Sequence, residues 1–89
     1  MPEAGDRGLT VWPNPTGGPA SVSLRGEPGS VRVSVVDARG REVALLHDGA
    51  ARDGQRWTVD TGALAPGVYA VRAVTDAGAQ VSAGLTVVR

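Results

Sequence analysis

The chain has 89 residues, with nine basic residues against nine acidic ones and a formal net charge of zero. That length holds one domain and no more, and the balanced charge supplies no basic surface for nucleic acid or an anionic membrane. The lack of Cys excludes disulfide staples and thiol chemistry, and no apolar run nears the ~20 residues that cross a bilayer as a helix.

Val and Ala dominate the apolar residues, and there is no Phe. Valine is β-branched and fits a pleated sheet better than a helix. Thirteen Gly and six Pro interrupt the chain often, which disfavours long helices. Residues 1–8 are polar and carry Gly and Pro, so they read as a linker ahead of a domain at 9–89. They lack the apolar stretch of a signal peptide, so an export address is expected upstream on a longer precursor.

A first strand is expected at 9–12, stopped by Pro13 and Pro15, which cannot donate to a ladder. Thr16-Gly17-Gly18-Pro19 reads as a turn. A second strand follows at 20–24, with Val22 and Leu24 on one face, and residues 25–30 turn again. Residues 31–36 form the clearest strand: Val31, Val33 and Val35 point one way, Arg32 and Ser34 the other. Asp37-Ala38-Arg39-Gly40 closes a hairpin, with Asp37 accepting from the turn backbone and Gly40 taking a positive φ.

The returning strand is expected at 41–46, carrying Val43 and Leu45 inward. Residues 47–54 read as a longer loop holding Asp48-Gly49 and Asp53-Gly54. A fifth strand at 55–60 places Trp57 and Val59 on the core side. Residues 61–66 form a corner, 67–75 a sixth strand, Asp76-Ala77-Gly78 a hairpin turn and 80–88 the last strand. Val81, Ala83, Leu85 and Val87 share one face of it. Seven short strands with regularly spaced turn signals indicate an all-β, seven-stranded, immunoglobulin-like antiparallel β-sandwich.

Few residues invite chemistry. In Leu64-Ala65-Pro66-Gly67-Val68-Tyr69, Tyr69 suits a sandwich corner that buries its ring and returns its hydroxyl to the backbone upstream. Pro66 stiffens that turn, and Gly67 is read as removing a side chain where backbones are tight. His47, the sole histidine, reads as solvated loop surface, and no Gly-x-Ser-x-Gly turn presents a serine to it. Asp37, Asp48, Asp53, Asp60 and Asp76 sit beside Gly or in turns, where turn chemistry explains them better than calcium. Trp12 and Trp57, exposed together, could stack on a sugar ring, and the alternation with Val59 places Trp57 in the core. No catalytic, cofactor-binding or metal-binding residue is assigned, and the chain is not read as an enzyme.

Three features stand in a telling order: Val11-Trp12-Pro13-Asn14-Pro15, then Val35-Val36-Asp37-Ala38-Arg39-Gly40-Arg41, then Leu64 with Gly67-Val68-Tyr69. The chain closes on Val87-Val88-Arg89. This pattern resembles the C-terminal sorting domains, type A, of the type IX (Por) secretion system of the Bacteroidetes group. The resemblance covers residues 9–89. One departure is the segment Ser82-Ala83-Gly84, where the family usually carries Lys.

The resemblance implies a sorting signal built on Pro13, Asn14, Pro15, Asp37, Gly40, Arg41, Gly67, Tyr69, Val87, Val88 and Arg89. It implies a delivery tag for an upstream cargo domain, in transit through the periplasm and then secreted or held at the cell surface. The partners it implies are the type IX translocon and a separate sortase-like peptidase that cuts near residues 1–8 and anchors the cargo. Two other readings use the same fold: an immunoglobulin-like spacer of the flagellar-hook-cap type, and a carbohydrate-binding module. The spacer family normally has a Trp-Asp-Gly turn, where this chain has Trp57-Thr58-Val59-Asp60-Thr61-Gly62.

Overall fold

The computed structural model describes residues 8–13, 15–26 and 29–88. Residues 1–7, on which most of the expected 1–8 linker falls, and Asn14, Glu27, Pro28 and Arg89 lie outside the described residues. The strands are β1 (Leu9–Trp12), β2 (Ala20–Leu24), β3 (Gly29–Val36), β4 (Glu42–Ala51), β5 (Gln55–Val59), β6 (Gly67–Thr75) and β7 (Gln80–Val87). A 3-10 turn, Thr61–Ala63, precedes β6. The strands form two antiparallel sheets, ordered β1-β2-β5 and β4-β3-β6-β7. The expected seven-stranded sandwich is the fold.

The inner faces follow the alternation. Ala20, Val22 and Leu24 of β2 meet Val31, Val33 and Val35 of β3, Val71 and Ala73 of β6, and Leu85 and Val87 of β7 in one buried cluster. Valine supplies most of this core, so many small branched side chains fill the gap that a few aromatic rings fill in other sandwiches. Trp57 packs against the cluster from β5, and Val59 is buried within it. Ser34 lies on the outer face, as expected, yet it is buried. It sits on an inner strand, paired with Leu45 on one side and Arg72 on the other, both of which carry longer side chains.

Strand β4 departs from the sequence reading in two ways. It runs on to Ala51, so residues 47–51 are strand and only the turn around Asp53-Gly54 remains of the expected loop. His47 is therefore a half-buried strand residue. Its ring lies 5.2 Å from that of Trp57, and its Nε2 is 2.8 Å from the Ala50 carbonyl oxygen.

The second departure is in facing. Val43 and Leu45 point outward, 41% and 49% exposed, while Ala44 and Leu46 pack against the core. The cause is two register shifts against β3. Val36 pairs with Glu42 and Val35 with Ala44, which leaves Val43 unpaired; Ser34 pairs with Leu45 and Val33 with His47, which leaves Leu46 unpaired. Each bulge inserts one residue and reverses the facing beyond it. Arg32 spans both bulges on the outer face, with Nη2 bonding both Glu42 carboxylate oxygens at 3.1 and 3.0 Å and Nη1 bonding Asp48 at 3.1 Å. The hydrogen bond and charge of Glu42, then Asp48, hold the Arg32 guanidinium above its ordinary pKa.

This register separates two leucines that composition treats alike. Leu85→Ala is expected to cost about 2–5 kcal/mol in urea unfolding, as a fully buried leucine does. Leu45→Ser should change stability by no more than about 0.5 kcal/mol. Equal losses at the two positions would contradict the bulged register.

Candidate functional site

The antiparallel registers gather distant segments at one end of the sandwich. β3 leaves this end after Val36, which pairs with Ala70, and β6 enters it at Gly67, which pairs with Val87. The Asp37–Gly40 turn, the start of β6 and the close of β7 are therefore neighbours. β1 ends there too. Pro13 and Pro15 carry the chain out of β1 to Thr16, which forms a parallel bridge with Val87. The Thr16 amide donates to the Thr86 carbonyl at 2.9 Å, and the Val88 amide donates to the Thr16 carbonyl at 2.9 Å.

Thr16 is 2% exposed, so its hydroxyl must be satisfied internally. It donates to the Gly18 carbonyl at 2.6 Å and accepts from the Gly18 amide at 3.1 Å. Buried Thr61, at the foot of the 3-10 turn, donates to the same Gly18 carbonyl at 2.6 Å. A second loop is thereby fastened to the first. Sequence reasoning missed both threonines, because a Thr among Gly and Pro looks like ordinary turn polarity until its partner strand is known.

The hairpin behaves as its residues dictate. Asp37 Oδ1 accepts from the Arg39 and Arg41 amides, both at 2.9 Å. Gly40 has a φ of +85°, in the left-handed region that favours glycine. These backbone donors, that of Arg41 first, hold the Asp37 carboxyl below its ordinary value of 3.8. Arg41 reaches the same carboxylate only at 3.8 Å and is 76% exposed. The turn thus absorbs the carboxylate and leaves the charges of Arg39 and Arg41 directed to solvent.

At the corner, the Tyr69 hydroxyl donates to the Ala65 carbonyl at 2.5 Å, and the ring packs on the core. The Gly67 reading needs correction. A side-chain carbon added there would meet only the Tyr69 ring, at 3.9 Å, which is ordinary contact rather than a tight backbone approach. An open depression between the hairpin and the start of β6 is lined by Asp37, Ala38, Arg39, Arg41, Gly67, Val68 and Tyr69. Val68, 65% exposed, and Val88, 45% exposed, stand as apolar side chains at the same end.

The aspartates serve several local roles. Asp53 accepts from the Gly26 amide at 2.8 Å, Asp60 accepts from Gly62 at 3.0 Å, and Asp48 belongs to the Arg32 network. Of the motif residues, Pro13, Pro15, Asp37, Gly40, Arg41, Gly67, Tyr69, Val87 and Val88 all lie at this one end, while Asn14 and Arg89 are outside the described residues.

A family model described as "Secretion system C-terminal sorting domain" matches residues 10–87. The chain belongs to this family. Its members are sorting signals of type IX secretion, which implies an upstream cargo, the type IX machinery and delivery to the cell surface or beyond. No curated protein matches the chain. Among solved structures it is similar to CopC from Methylosinus trichosporium OB3b, with 23% identity over 91% of this chain and 92% of that one, at a TM-score of 0.51. At that identity the likeness shows the fold alone. Among the described residues, no helix of this sorting domain is long and apolar enough to cross a membrane.

The lowered Asp37 pKa fixes the sign of an acid effect. Stability from the ionised carboxylate is complete above its ordinary value near 3.8 and is lost as pH falls through the depressed folded value. Urea unfolding from pH 6 to pH 2 should show this loss in the wild type, and Asp37→Asn should flatten that part of the profile. Identical acid slopes in the two proteins would contradict the assignment.

Proposed function

We propose that this domain is a non-catalytic export label and that its folded end is the surface the type IX outer-membrane translocon reads. The observation that carries the proposal is the convergence of the Pro-Asn-Pro, Asp-x-x-Gly-Arg, Gly-Val-Tyr and Val-Val segments on one end of a chain that belongs to a sorting family. That end offers what a reader needs. Exposed Val68 and Val88 supply apolar contact, and Arg39 and Arg41 set two exposed cations against the single carboxylate of Asp37.

On this reading the side chains of the domain perform no reaction. The residues that invited chemistry have structural occupations: the His47 ring lies beside Trp57 and the Ala50 carbonyl, and the Tyr69 hydroxyl holds a corner. After passage through the periplasm and the outer membrane, a separate sortase-like peptidase cuts in the polar segment at 1–8, which forms a linker ahead of a sorting domain at 9–89. The cargo is then anchored at the cell surface. A polar segment that carries Gly and Pro has the composition of a linker that a protease groove accepts.

The test uses a signal peptide and fluorescent reporter fused ahead of the chain in a type IX-competent host. Surface display should require the translocon. Val68→Asp combined with Arg41→Glu should reduce display at least about tenfold, a difference of about 1.4 kcal/mol in recognition. Both side chains point to solvent, so the purified double variant should keep its thermal midpoint within a few degrees. Normal display of a folded double variant would contradict the proposed reading surface.

A further inference from the structure

The outer face of the three-stranded sheet carries none of the side chains of the proposed reading surface. Leu9, Val11, Val22 and Val59 turn inward, so Thr10 and Trp12 of β1, Ser21 and Ser23 of β2, and Arg56 and Thr58 of β5 turn outward. The register sets them in two rows, Trp12–Ser21–Thr58 and Thr10–Ser23–Arg56. Trp12 is 37% exposed, although it is among the largest apolar side chains of the molecule. The Arg56 guanidinium carbon lies 5.5 Å from the Trp12 ring centroid. The two long side chains meet across β2, where only the short Ser21 and Ser23 stand between them. Trp57, the other tryptophan, faces the core and takes no part.

We propose that this face is a binding platform for an anionic oligosaccharide. A sugar ring has one face of C–H groups, which stacks on an indole, and a rim of hydroxyls, which pair with Ser and Thr side chains. A planar guanidinium pairs bidentately with a carboxylate or phosphate on the sugar. All three elements occur here on one face of one sheet. The sign of the charge follows from the same six side chains: they include one Arg and no carboxylate, and Arg56 forms no ion pair among the described residues. A protein partner fits less well, because Trp12 is the sole large apolar side chain on the face and its neighbours are polar. The contact between Arg56 and the indole is exposed and weak enough for the guanidinium to turn toward an oxyanion. This face belongs to the three-stranded sheet, whereas the Asp37 hairpin joins strands of the other sheet, and the inference does not rest on the sorting proposal.

The experiment uses the full chain carrying Trp57→Phe, so that Trp12 alone reports by fluorescence. It is titrated with a galacturonate hexamer, a phosphomannan oligosaccharide and neutral cellohexaose. Saturable change with either anionic sugar, at least about tenfold tighter than with cellohexaose, is the expected result. Response to the galacturonate alone assigns a carboxylate, response to the phosphomannan alone assigns a phosphate, and response to both assigns the shared oxyanion. Arg56→Gln should remove the preference for charge. Trp12→Ala, followed by calorimetry, should remove binding; if that variant fails to fold, the Arg56→Gln titration carries the test alone. No response to either anionic sugar at about 10 mM would overturn the proposal, as would equal binding of cellohexaose or an unaltered preference in Arg56→Gln.

Discussion

The parallel bridge between Thr16 and Val87 is the contact on which the arrangement of the motif end depends. The core presses the two sheets together, but burial is non-directional and does not fix how their edges meet. Two backbone hydrogen bonds from Thr16 do so, joining the exit of β1 in one sheet to the close of β7 in the other. They also occupy backbone groups that an edge strand would otherwise offer to a neighbour. Val87 cannot slide along β6 without breaking both this bridge and its pairing with Gly67. Segments some seventy positions apart in sequence are thereby held in register.

The bridge gives the family's scattered motifs a common physical meaning. Pro13 and Pro15 stop β1 and lead the chain across to β7. Asp37 and Gly40 close the neighbouring hairpin, and Tyr69 locks the corner before it. Pro13, Pro15, Asp37, Gly40 and Tyr69 are thus turn or corner devices, whatever part they take in the proposed recognition. The surface proposed for a reader, Val68 and Val88 with Arg39 and Arg41, consists of side chains those devices leave exposed. A label read by its shape, as proposed, suits a domain in which Asp37, Asp53 and Asp60 bond turn backbone and Glu42 and Asp48 hold Arg32.

Much of this was legible in the chain, and the failures have one cause. β1, β2 and β6 were readable because proline, glycine and strict alternation mark their ends and faces. The Asp37 hairpin and the Tyr69 corner were readable because their hydrogen bonds span only a few residues. β4 was not. Val43-Ala44-Leu45-Leu46 is apolar at both parities, so alternation cannot choose a face, and the bulges that do choose it arise from pairing with β3. Asp48-Gly49 looks like a turn until Arg32, across the sheet, supplies the partner for Asp48. Trp12 and Arg56 meet only because β2 lies between β1 and β5, an order that no local pattern encodes.

Amide chemical-shift mapping tests the central claim most directly. Isotope-labelled domain would be titrated with purified outer-membrane components of the type IX translocon. Perturbations are expected to concentrate at residues 37–41, 67–69 and 86–88, with the far-end turns at 52–54 and 76–79 silent. Perturbations centred on those far-end turns, or binding that persists unchanged after the domain is unfolded, would contradict it.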